Sequence, residues 1–272
     1  MIKTILKLLI PPIFLKLKLI LNKNNISSFY GDFASWEEVN LLMEDNYKSS
    51  EIHDRVKQAS LKVKSGEALF ERDARCFYEK SYRYPVLALL LSIGIANQEK
   101  LSVLDFGGSL GSFYNQHKAF FVNLQEIKWN IVEQERYVKT GIEEFQNDKL
   151  KFYYTIKDCL DENDVDLVLF SSVLQYLESP YKILEEIFQY SPKSIIIDRI
   201  AFSDEEERDR LTVQKIPKII YPNSLPCWFF SKQKFIKIMN ENSYDLKVEF
   251  ECDDEPSKIG KFQGLFFQKK DS

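Results

Sequence analysis

Val103-Leu104-Asp105-Phe106-Gly107-Gly108-Ser109-Leu110-Gly111 is the stretch on which the fold turns. A short apolar run ends in an acidic residue, passes through a glycine-rich turn and leads into a helical pattern that opens at Ser112. Glycine lets a backbone take positive φ and approach a ligand closely, and an open parallel sheet binds ligands beyond the carboxyl ends of its strands. A dinucleotide fingerprint, G-x-G-x-x-G, fails here on spacing. Counted from Gly107 it needs glycine at the positions of Ser109 and Ser112, and counted from Gly108 at those of Leu110 and Phe113.

Outward from this turn the chain alternates strands and helices. Short apolar strands are predicted at 101–106, 127–133, 150–156, 165–171 and 194–198. Helices are expected at 112–124, 134–147, near Cys159 and at 181–190. Parallel strands buried on both faces and joined by crossover helices read in this way. A helix at 231–242 and strands at 244–252 and 260–268 follow. The acidic turn Asp253-Asp254-Glu255-Pro256 makes those last two an antiparallel hairpin. The expected fold class is α/β: a Rossmann-like, seven-stranded, doubly wound sheet with the last strand antiparallel, plus an N-terminal helical region.

Three segments flank this domain, which is assigned to 101–272. Residues 24–100 read as a helical cap. There Ser35 and Glu38 form a capping box, a helix over 50–64 ends near Gly66, and a helix over 84–95 carries Pro85 in its first turn. Residues 200–230, with Pro217, Pro222 and Pro226, read as a lid-like insertion. Gln214, Tyr221 and Trp228 within it suit a sugar face and a hydrophobic core equally. The run Asp204-Glu205-Glu206-Glu207 reads as a solvated helix start. Residues 1–23 are a basic amphipathic segment in which Lys3, Lys7, Lys16 and Lys18 interleave with apolar residues. Its longest uncharged run, 8–15, falls well short of the ~20 residues of a spanning helix, and no small-residue cleavage site follows it. Two readings stand for residues 1–21: contact with an anionic membrane surface, or packing against the chain's own domain or a partner.

Composition narrows the partners. Hydrophobic residues make up 44% of 272, enough for a large core, and the net charge of −4 gives no footing for nucleic acid. Four scattered cysteines without CxxC spacing read as reduced thiols, and two histidines leave no His-based metal cluster.

Two further signals join the glycine turn. Glu133 closes the strand Trp129-Asn130-Ile131-Val132, about twenty residues after the turn, where a carboxylate can accept hydrogen bonds from both hydroxyls of a ribose. The second is Asp166-Leu167-Val168-Leu169-Phe170-Ser171-Ser172-Val173-Leu174-Gln175-Tyr176-Leu177, a strand running into a polar turn.

With an acidic residue two positions before the first glycine and Gly111 six positions after it, the turn resembles the cofactor loop of class I S-adenosylmethionine-dependent methyltransferases. Ser109 stands where that loop has its middle glycine. The segment 166–177 resembles the family's fourth-strand motif, with Gln175 where many relatives carry His, which removes a titratable base. Together with Gly31-Asp32-Phe33-Ala34-Ser35-Trp36, Lys64-Ser65-Gly66-Glu67, Val132-Glu133-Gln134-Glu135 and Ile197-Asp198-Arg199, these phrases look like a bacterial methyltransferase family often associated with surface-polysaccharide or lipopolysaccharide loci. The resemblance implies S-adenosyl-L-methionine as cofactor, held by Asp105, Gly107, Gly108, Ser109, Gly111, Glu133, Ser172 and Val173. It also implies a cytoplasmic setting and a small-molecule or glycan acceptor handled by Gln175, Tyr176, Asp198 and Arg199. Asp198 is the nominated base, and Arg199 could grip a carboxylate or phosphate, or the two could hold the insertion in place. A non-catalytic module on the same fold is the competing reading, and the intact turn with Glu133 argues against it.

Overall fold

The computed structural model describes residues 28–41, 50–204, 207–216, 224–254 and 257–270. The basic segment 1–23, Tyr221 and most of the acidic run at 204–207 lie outside or at the edge of these. In chain order the elements are β1 (Ser28–Phe33), α1 (Trp36–Leu41), α2 (Ser50–Lys64), β2 (Phe70–Arg72), β3 (Arg75–Phe77), α3 (Tyr84–Ala96), β4 (Lys100–Phe106), α4 (Ser112–His117), β5 (Glu126–Val132), α5 (Glu135–Thr140), β6 (Leu150–Tyr153), α6 (Ile156–Glu162), β7 (Leu167–Ser171), α7 (Pro180–Tyr190), β8 (Ser194–Ser203), β9 (Arg210–Lys215), β10 (Ser224–Phe229), α8 (Lys232–Glu241), β11 (Tyr244–Glu251) and β12 (Gly260–Lys269).

The large sheet has seven strands in the order β11-β12-β8-β7-β4-β5-β6. Strands β4 to β8 pair in parallel, and β12 runs antiparallel between β8 and β11. The expected α/β class, seven strands with one reversed, is what forms. Alternate residues of each strand enter opposite layers. Val103, Ile131, Leu169 and Ile196 join Val86, Leu87 and Leu90 of α3 on one face. Leu104, Val132, Phe170 and Ile197 join Leu184 and Ile187 of α7 and Phe235 and Met239 of α8 on the other. Burying each such side chain contributes about 1.5–3 kcal/mol, so both faces hold the sheet. The chain winds outward from β4 to β6, then returns to place β7 against the other side of β4. That reversal makes the β4/β7 boundary the switch point of the sheet, where such folds bind ligands.

Two expectations change. The insertion is not a simple lid loop: β8 continues to Ser203, and β9 and β10 pair antiparallel. The chain before 100 is not only helical, because β1 joins the other edge of β9 to make a three-stranded sheet β1-β9-β10, and β2 and β3 form a hairpin. Pro226 is tolerated because β10 is an edge strand. Trp228 goes to the core reading: its Nε1 donates to the Leu177 carbonyl (3.1 Å), and its ring stacks on Trp36. The α1 cap forms as expected at Ser35, whose Oγ accepts from the Glu38 N–H (3.2 Å), while Glu38 reaches the Ala34 N–H (2.8 Å). The helix expected over 112–124 ends at His117 and tightens into a 3₁₀ turn, Lys118–Phe120. No helix among the described residues is long and apolar enough to cross a membrane.

Candidate active site

At the switch point the backbone after β4 alternates into the left-handed region, with φ of 72° at Gly107, 56° at Ser109 and 89° at Gly111. The Gly107 N–H is fixed by the Val132 carbonyl (2.9 Å). A Cβ on Gly107 would lie 2.5 Å from Val173 Cγ2, and one on Gly108 would lie 2.5 Å from Asp105 Oδ2. The turn is therefore tight because the β7 loop presses on one side and Asp105 sits beneath the other. Ser109 takes positive φ without being glycine, a conformation that costs a non-glycine residue strain of about 1–3 kcal/mol.

These residues wall a cavity of about 480 Å³. Of the residues nominated from sequence, Asp105, Gly107, Gly108, Ser109, Ser172, Tyr176, Asp198 and Arg199 line it. Gly111 instead caps α4, packed near Leu150 and Asn115. Val173 backs Gly107 from behind. Gln175 is buried and donates from Nε2 to the Arg199 carbonyl (3.0 Å) and to Ser172 Oγ (3.3 Å), tying the β7 loop to the end of β8. Glu133 is not on the cavity wall; its carboxylate accepts from the Gln134 N–H (2.5 Å), and it directly follows Val132, whose carbonyl holds the Gly107 N–H of the glycine turn.

Asp198 and Arg199 point to different partners. Asp198 is fully buried, with Oδ1 accepting from Arg83 Nη2 (2.7 Å) and Oδ2 from Ser171 Oγ (2.9 Å). Arg199, at φ 58°, grips Asp254 with Nε and Nη2 at 2.7–3.0 Å. Arg199 is thus already bidentate to a carboxylate of this chain, and the turn 253–254 supplies it.

Sequence reading missed the wall contributed from before residue 100. Arg83, just ahead of α3, is buried and places its backbone N–H on Nε2 of His117 (3.0 Å). Burial holds that imidazole at about 4, hence neutral. Glu71 and Arg72 come from the β2–β3 hairpin. Glu71 accepts from the Ala74 N–H (3.1 Å) and from Ser112 Oγ at the start of α4. Gln214 of β9 also faces the cavity, and its Oε1 is buried with no hydrogen-bond partner among the described residues. An arginine in a tyrosine-rich polar stretch carries no local sign of burial; its partner lies 115 residues on.

Burial pushes Glu71, Asp105 and Glu133 each up to about 7; Trp129 Nε1–H on Asp105 (2.9 Å) opposes the rise only in part. The folded chain therefore keeps protons that the unfolded chain, with carboxyls near ~4, has already released. Stability should fall as pH rises from about 4.5 to about 7 on their account and level off above that. Denaturant unfolding of the wild type and of a Glu71→Gln variant across this range checks it. The same pH slope in both proteins would remove Glu71 from the titrating set.

No protein-family model matches the sequence, and no curated protein does. Solved structures do resemble it. A Methanosarcina mazei S-adenosylmethionine-dependent methyltransferase is 13% identical over 70% of this chain and 99% of its own, with a TM-score of 0.48. The Burkholderia thailandensis 1,6-didemethyltoxoflavin-N1-methyltransferase, with bound S-adenosylhomocysteine, is 12% identical over 84% and 94%, with a TM-score of 0.45. The Synechocystis magnesium protoporphyrin IX methyltransferase is 13% identical over 84% and 86%, also at 0.45. These are similarities only.

Proposed function

We propose that this chain is a class I S-adenosylmethionine-dependent methyltransferase acting on a small-molecule acceptor, with O-methylation of a glycan as its finer form. One observation carries the reading: at the switch point of the sheet, the glycine turn closing β4 walls the cavity and is tied by its Gly107 N–H to the Val132 carbonyl (2.9 Å), immediately before the carboxylate that follows β5. A nucleoside with a charged tail needs that pair, a carboxylate for the ribose and exposed backbone for the tail. Glu133 would take the ribose hydroxyls. Gly107, Gly108 and Ser109 would cradle the methionine part, with Ser172 and Val173 closing the β7 side. Asp105 and Glu71, whose carboxyls burial raises to about 7, would ionise further against a cationic ligand.

When bound, the cofactor supplies an electrophilic methyl group on a sulfonium. The task left to the chain is alignment and exclusion of water, which alone are worth many orders of magnitude in rate. Tyr176 and Gln175 would shape the acceptor side. Asp198, with both oxygens engaged, would orient Ser171 and Arg83 there, and any proton it accepts would come at the expense of the Arg83 pair.

Calorimetry with S-adenosylmethionine tests the cofactor site. Wild type should bind, and Glu133→Ala should bind about tenfold more weakly or worse, since a charged hydrogen bond contributes roughly 1.5–3 kcal/mol. Equal affinities would remove Glu133 from the site, and tighter binding of NAD would overturn the reading. Release of S-adenosylhomocysteine with an acceptor extract separates an enzyme from a module that only binds.

A further inference from the structure

The acceptor end of the cavity is built around arginines, and two of them have donors to spare. Arg83 is 6% exposed. Its Nη2 is spent on Asp198, but Nη1 is buried without a hydrogen-bond partner among the described residues. The carboxylate oxygens nearest to it belong to Asp254 at 3.9 Å and Asp253 at 4.0 Å, too far to hydrogen-bond. A buried guanidinium donor left unpaired is costly, and this one is on the cavity wall. Arg72 lines the same cavity. Its guanidinium lies over the rings of Phe70 (5.7 Å) and Phe77 (5.9 Å), and no carboxylate among the described residues forms an ion pair with it. A cation–π seat fixes the plane of the guanidinium while leaving its N–H donors available. Arg72, half-buried, lines the same cavity as Arg83 and Arg199, and their like charges press on it.

Asp254 is taken by Arg199 and Asp198 by Arg83. Of the other carboxyls near Arg72, Asp73 is exposed to solvent at the rim, and Glu71 is buried with its hydrogen bonds from Ser112 Oγ and the Ala74 N–H. Arg72 is left without an ion-pair partner among the described residues. Beside it Gln214 offers a buried, unpaired acceptor oxygen.

We infer that Arg72 and Arg83 form an oxyanion seat, so that the acceptor carries a carboxylate or phosphate, with a hydroxyl placed to donate to Gln214. An anionic sugar or hydroxy acid fits that chemistry; a neutral aromatic does not. Arginine forks match the geometry of both oxyanions, and Nη1 of Arg83 and the donors of Arg72 hold no hydrogen bond among the described residues. This rests on the methyltransferase reading for the word acceptor, but the seat itself does not.

The test uses the full chain saturated with S-adenosylhomocysteine, titrated with inorganic phosphate or acetate against chloride at constant ionic strength. The melting temperature of wild type should rise saturably with phosphate or acetate and not with chloride. Arg72→Gln removes a residue that holds no ion pair of the fold, and should need at least tenfold more of either anion for the same rise. An equal response from Arg72→Gln and wild type overturns the seat, and so does the absence of any saturable rise. A tenfold loss of S-adenosylhomocysteine affinity in Arg72→Gln, or competition between phosphate and S-adenosylhomocysteine, would assign the arginines to the cofactor's own carboxylate and overturn the acceptor assignment. If S-adenosylhomocysteine fails to bind while phosphate still acts through Arg72, the methyl-donor reading falls and the oxyanion seat stands.

Discussion

Replacing Arg83 by Met should destabilise the protein by about 3–5 kcal/mol, because it leaves Asp198 as a buried charge without its counter-ion. Asp198 has no exposed side-chain surface and Arg83 almost none, so the pair is held largely out of solvent. The Ser171 hydroxyl, at 2.9 Å, and the weak Cys252 thiol, at 3.8 Å, stay as neutral donors to a full negative charge. For a chain of this size about 1 kcal/mol corresponds to roughly 2–4 °C, so the melting temperature should drop by roughly 6–20 °C. Removing both charges, in Arg83→Met with Asp198→Asn, should recover part of the loss, since a buried pair replaced as a unit often costs little. A calorimetric scan of the three variants decides it. A drop under about 3 °C for Arg83→Met, or a double variant no better than the single, would mean that the two side chains are not coupled.

The second large effect is expected at the glycine turn. Gly107→Val should reduce S-adenosylmethionine affinity by about a hundredfold or more. Two physical causes act together. The residue sits at φ 72°, where a β-branched side chain is an outlier, and its new Cβ would lie 2.5 Å from Val173 Cγ2. The turn must move, and with it Gly108 and Ser109 on the cavity wall. Gly108→Val acts differently, since the steric conflict there is with the Asp105 carboxylate rather than with backbone geometry. Calorimetry reads both. Near wild-type affinity in Gly107→Val would show that the turn is not part of the cofactor site.

Much of the sheet was legible because its central strands are buried on both faces and so read as unbroken apolar runs. Each of the seven strands was placed to within a few residues, except that β8 runs on to Ser203. The small sheet was not legible. Gly31 interrupts β1, and the prolines around β9 and β10 carry the signature of a loop, although Pro226 sits at an edge where its missing N–H goes unused. One part of the cavity wall could be read because Asp105 and the glycine turn are local to a strand end, although Glu133 falls off that wall. The rest of the wall could not. Its determinants, Glu71, Arg72, Arg83 and Asp254, lie on a hairpin, a helix start and a turn whose meeting is decided only by tertiary packing. Arg199 illustrates the difference: expected just past the end of a strand at 194–198, it lies within β8, and its partner Asp254 comes from a distant turn.

The small sheet joins an early segment to one made long afterwards, since Ser28 lies opposite Lys215 and Tyr30 opposite Val213. At roughly 5–20 residues per second, a nascent β1 would wait on the order of ten to forty seconds for β9 to leave the ribosome. During that interval Phe29, Tyr30 and Phe33 belong to a strand with both edges unpaired, the condition under which strands pair with the wrong chain. The cavity inherits the same timetable. Phe29 lines it from an early segment, Gln214 and Leu225 from a later one, and Phe262 from one later still. A ribosome-bound chain can therefore complete its central strands β4 to β7 well before its cavity closes, and ligand binding is a property only of the finished molecule.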